Sequence, residues 1–67
     1  MKTTNTIYEI RVEMWRKGGE FVRQLAQALK AADLDNQRRI VEAFPEIIEK
    51  YDGFATLTKQ QNTQLIN

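Results

Sequence analysis

The stretch "IYEIRVEMWRKGGEF", Ile7 to Phe21, fits two periods, and the choice between them decides the fold. Tyr8, Ile10, Val12 and Met14 alternate with Glu9, Arg11 and Glu13, the pattern of a half-buried strand closed by two glycines. The same letters also fit a helix turning about 100° per residue. With Ile7 at zero, Ile10, Met14, Gly18, Phe21, Leu25, Ala28, Leu29 and Ala32 fall within about 60° of it. Glu9, Glu13, Arg16, Lys17, Glu20 and Arg23 fall on the far side. Both faces keep their phase across Gly18-Gly19, which a strand, a turn and a new helix have no reason to do. The pattern therefore predicts one helix over about 6–32, with strand-helix-helix as the alternative. Thr6-Ile7-Tyr8-Glu9 has the form of a capping box at its start. The glycine pair costs roughly 2 kcal/mol relative to alanines. Gly18 lies on the apolar face, where it marks either a close helix approach or a kink.

In the second half, Asp33 is suited to cap a helix that begins at Leu34. Leu34, Gln37, Ile40, Val41, Phe44, Ile47, Ile48 and Tyr51 share one side. Pro45 falls inside this pattern and removes a hydrogen bond, so it kinks the helix or splits it into 34–43 and 45–51. Gly53 reads as the stop. The polar stretch 59–67 reads as a flexible tail, leaving 1–58 as a single domain, with Phe54 and Leu57 available to pack back.

These elements make an all-α antiparallel hairpin of unequal arms. Helix 6–32 spans roughly 40 Å and helix 34–51 roughly 27 Å, so residues 7–14 overhang. The overhang is apolar around more than half its circumference. Ile7, Ile10 and Met14 form one edge, and Tyr8, Val12 and Trp15 the other. Such a helix expects neighbours on two sides. The expected result is a homodimer, a helical bundle with an interface of Ile7, Tyr8, Ile10, Val12, Met14, Trp15 and Gly18. Trp15 serves equally as core or as an anchor in a partner's pocket.

Composition narrows the chemistry. The 67 residues hold no cysteine and no histidine, so there is no disulfide, no thiolate metal site and no imidazole base. A core of this size supplies only about 3–5 kcal/mol, which favours association with a partner. Ten basic residues against nine acidic ones, interspersed, argue against nucleic acid. Arg16-Lys17 and Arg38-Arg39 read as solvated helix faces. No apolar run approaches the ~20 residues of a membrane span, which leaves the cytoplasm as the expected compartment. The carboxylate pairs Asp33/Asp35, Glu42/Glu46 and Glu46/Glu49 are accounted for by capping and solvation, and Asn36 by a local backbone bond. No nucleotide, calcium or nucleophile motif is present, so no catalytic, cofactor or metal residue is assigned.

The segment from Trp15 to Tyr51 resembles a set of short phage and prophage reading frames with no assigned activity. The shared skeleton is Gly18-Gly19, Phe21-Val22, Leu25-Ala26, Ala32-Asp33, Asn36, Ala43-Phe44-Pro45 and Tyr51, a little over half of the chain. Leu34 stands where those sequences often carry proline. The resemblance implies a small helical phage-type protein that binds and modulates a host or phage protein. It carries over no catalytic residue, and segment 1–14 lies outside it. A dimeric DNA-binding regulator of ribbon-helix-helix type is the alternative function, with Glu9, Arg11 and Glu13 facing outward from a strand; two acids facing phosphates count against it. A virion accessory protein is the third.

Overall fold

A computed structural model describes residues 3–66, with side chains to Gln61. Four helices follow one another: α1 (Ile7–Lys17), α2 (Glu20–Ala31), α3 (Leu34–Ala43) and α4 (Pro45–Ile66). The all-α class expected from the sequence is present, and no strand occurs among the described residues. The opening stretch is helical, so the strand-helix-helix alternative falls.

Local signals placed three of the helix boundaries. Thr6 accepts a hydrogen bond from the Glu9 N–H through its hydroxyl, and the Glu9 carboxylate accepts one from the Thr6 N–H, which completes the capping box. Asp33 accepts from the Asn36 N–H and so caps α3. Phe44 ends α3 outside helical geometry, and Pro45 opens α4 where its missing N–H costs nothing.

The expected helix 6–32 is instead two helices. Gly18 and Gly19 are both extended, with φ near −80° at each, and they turn the chain so that α2 packs back beside α1. The shared phase of residues 7–32 was no sign of continuity. Each helix turns its own apolar side to one core: Ile10 and Met14 from α1, Ala26 and Leu29 from α2, Ile48 and Tyr51 from α4. Gly18 does mark a close approach, but within the corner itself. A Cβ there would collide with the Met14 carbonyl and the Val22 side chain.

The second expected helix also differs, at its far end. Gly53 does not stop it, and α4 continues through the stretch read as a tail to Ile66. Interior glycine costs about 1 kcal/mol, and tertiary contacts on both sides of Gly53 offset this. Tyr51 and Ala55 are buried, and Phe54 packs on the core with its ring 5.5 Å from that of Tyr51. Polar contacts with α1 then hold the next turn, where Thr58 donates to Glu13 and Lys59 pairs with Glu9 at 2.8 Å.

The two-helix hairpin is therefore replaced by a four-helix arrangement with α1 as its centre, packed on α2 and on α4. No overhang remains. Ile10 and Met14, the residues expected to need a second chain, are fully buried within their own. Polar and cation–ring contacts of the segment Thr4–Lys17 with α4 fall between Asp52 and Lys59, while Ile10 and Met14 share the core with Ile48 and Tyr51. By contrast α3 buries no residue fully, and Leu34 at its first position is 83% exposed.

The N-terminal segment is strapped to α4 by a partly buried polar cluster around Asn5. Asp52 accepts hydrogen bonds from the backbone N–H groups of Thr4 and Asn5, at 3.0 and 2.9 Å. The Asn5 amide donates to the Asp52 carboxylate, to its backbone carbonyl and to the Thr56 hydroxyl. These bonds favour an ionised Asp52, which accepts at both carboxylate oxygens. Burial pushes its pKa up, but the hydrogen bonds from Thr4 and Asn5 outweigh it and hold the carboxyl below the ordinary range. Glu13 follows the same balance, with burial opposed by Lys17 and Thr58, and Glu9 is lowered by Lys59 and its capping bond. Groups whose pKa falls on folding stabilise above the unfolded value, and that contribution is lost as pH drops through the folded one. The melting temperature should therefore be flat above about pH 5 and fall steeply below about pH 4. Asp52→Asn should lower stability at neutral pH and flatten that acid limb; an unchanged limb would assign it to other carboxylates.

Candidate interaction site

The seven residues expected at an interface separate into two groups. Ile10 and Met14 are core, Ile7 is half-buried against it, and Gly18 forms the corner. Tyr8, Val12 and Trp15 follow one another at helical spacing along the outer side of α1, where Tyr8 is 64% and Trp15 44% exposed and Val12 is half-buried. The wide apolar arc of α1 is thus real, and only one of its edges is covered. Trp15 is not core.

Beside this stripe, between α1 and α2, lies an open cleft of about 240 Å³. Val12, Trp15 and Ala26 supply its apolar wall, and Arg11, Arg16, Gln27 and Lys30 its polar rim. No carboxylate lines it. The Arg23 guanidinium sits 5.2 Å from the centre of the Trp15 ring and donates through Nε to the Trp15 carbonyl. Arg11 lies 4.9 Å from the centre of the Tyr8 ring. Each guanidinium is held over an aromatic face while its remaining donors are free to turn outward.

The acids of α1 are directed elsewhere. Glu13 is buried, engaged by Lys17 at 2.5 Å and by Thr58 at 3.1 Å, with Arg16 more distant at 3.7 Å. Glu9 faces Lys59. Both line a second groove of about 230 Å³ between α1 and α4, which Val12 and Arg16 also border. One helix therefore separates a basic cleft from a groove containing two carboxylates. Among the described residues no buried side-chain nitrogen or oxygen lacks a partner, and no cluster of acids could hold a metal ion.

Sequence reasoning missed Arg11, Arg23, Gln27 and Lys30 because it kept α1 and α2 in one rod. In such a rod Arg11 and Lys30 stand roughly 28 Å apart. The turn at Gly18-Gly19 brings residues 26–30 beside 11–16. A readable signal existed in the two small backbones of that turn, had they been taken as a corner.

Compared with family models, with characterised proteins and with solved structures, the chain matches none. No helix among the described residues is long and apolar enough to cross a membrane. The site's meaning therefore rests on its own chemistry.

Proposed function

We propose that this chain is a small helical protein-binding module, acting by contact rather than catalysis, with the Tyr8–Val12–Trp15 stripe and its basic flank as the contact surface. The observation that carries this reading is the exposed tryptophan. A half-exposed Trp beside an apolar-walled cleft rimmed by arginine matches the residue types that dominate protein interfaces. The resemblance to phage reading frames makes the partner a host or phage protein, met in the cytoplasm of the host cell.

The ribbon-helix-helix regulator has lost its strand, since residues 7–17 are helical. Homodimerisation through Ile10 and Met14 has lost its seam, because the chain covers both itself. A dimer formed through the outer stripe is a version of the same reading, with a second copy as partner.

The test is a double variant, Tyr8→Ala with Trp15→Ala. Tyr8 is 64% and Trp15 44% exposed and neither belongs to the core cluster, so helix content should be kept and stability should fall by about 1–3 kcal/mol. Protein recovered with the unmodified chain from phage-infected cells should be lost with the variant. The same proteins retained in the same amounts would remove the stripe as the contact surface.

A further inference from the structure

The geometry points to an acidic protein segment with one large apolar side chain as the occupant of the α1–α2 cleft. The inference rests on the protein-binding reading above and gives that partner a chemistry. In it, the apolar side chain lies against Val12, Trp15 and Ala26, and carboxylates on either side meet Arg11, Arg16 and Lys30.

Charge is the first argument. The cleft has three cations on its rim and no acid. Among the described residues Lys30 is exposed and has no ion pair, Arg11 is engaged only by the Tyr8 ring, and Arg16 is 60% exposed with its one ion pair, to Glu13, at 3.7 Å. Among the described residues Arg11 and Lys30 face no carboxylate, and Arg16 shares Glu13 with the closer Lys17. Of the acids of α1, Glu13 is held by Lys17 and by Thr58 of α4, and Glu9 pairs with Lys59 of α4.

Size and shape supply the second argument. At about 240 Å³ the cleft is smaller than the roughly 300–1,000 Å³ of small-molecule sites, and it is open along one side. That suits a single side chain presented by a longer chain. The wall is apolar, so a purely electrostatic ligand leaves it uncovered.

The arrangement also discriminates against nucleic acid. Single-strand binding uses aromatic faces on which bases stack, and here guanidiniums cover one face of Trp15 and of Tyr8. A phosphate backbone crossing α1 would next meet the groove that contains Glu9 and Glu13. Discrete carboxylates confined to the cleft avoid both obstacles.

Trp15 is the only tryptophan, so its fluorescence reports the cleft directly. The full chain is titrated with a short peptide of glutamates and aspartates around one leucine. Controls are the same peptide with serine for leucine, a version with lysine for every acid, and single-stranded oligothymidylate. Saturable binding of the acidic leucine peptide is expected, weakening with salt, and weaker again with serine. Arg11→Glu with Lys30→Glu, both on the rim, should keep the helical circular dichroism and reduce affinity roughly tenfold or more. Tighter binding of oligothymidylate, equal binding of the lysine peptide, or no saturable change with the acidic leucine peptide overturns the proposal. If the peptide fails while the Tyr8/Trp15 variant still loses its cellular partner, the contact surface stands and only the assigned partner chemistry falls. If that variant also keeps its partners, both readings fall together.

Discussion

Ile10→Glu with Met14→Glu should give a chain that does not fold at any protein concentration. Both side chains have no exposed surface, and they share one core cluster with Leu29 and Ile48, the other fully buried large residues. Two carboxylates in that position have no partner, and an unpaired buried charge costs several kcal/mol. Even Met14→Ala should cost about 2–5 kcal/mol, comparable to the ~3–5 kcal/mol that a core of this size supplies. Circular dichroism of the double variant should show the helical signal lost, and the melting temperature of the unmodified chain should not depend on its concentration. A variant that stays helical while an oligomer becomes a monomer would place these residues between chains, as the sequence first suggested.

Glycine replacements should divide sharply by position. At Gly18 an added methyl meets the Met14 carbonyl, which is backbone, and Val22, which is held in the core packing. The φ there is ordinary, so the requirement is for space and not for an unusual backbone angle. Gly18→Ala should therefore destabilise by about 1–3 kcal/mol, although alanine is the better helix former. Gly53 lies inside α4, and a Cβ there meets nothing within 4 Å. Gly53→Ala should stabilise by about 0.5–1 kcal/mol. In a domain of this size each kcal/mol moves the melting temperature by about 4–8 °C, so the two variants should shift it in opposite directions. A rise at Gly18 would mean that α1 and α2 can straighten into one helix without loss, and the corner would not be required.

The corner governs more than stability. It places Lys30 and Ala26 opposite Arg11, Val12 and Trp15, so a variant that opened it would disperse the cleft and expose Met14 at once. Site and core share one hinge residue. Changes on the rim of the cleft, such as Lys30, alter the site and leave the core and the corner untouched.

What the sequence determined by itself was local. The capping box of Thr6 and Glu9, the Asp33 cap, the break before Pro45 and the helical period of residues 7–17 each follow from interactions within four residues. It also determined that α1 carries apolar residues around too wide an arc to be satisfied by one neighbour. Tertiary structure decided which edge of that arc is covered and by what. The phase of the apolar residues is the same for one straight helix and for two helices folded onto a common core, so periodicity could not separate them. The missing Cβ of Gly18 allows the fold-back, and the burial of Ile10 and Met14 against α2 and α4 stabilises it. The end of α4 is decided in the same way: Gly53 looks like a stop, but Asp52, Thr56, Thr58 and Lys59 bond to segments some 45 residues or more away in sequence. Such distant contacts offset the local cost of glycine, and no window of sequence around Gly53 contains them.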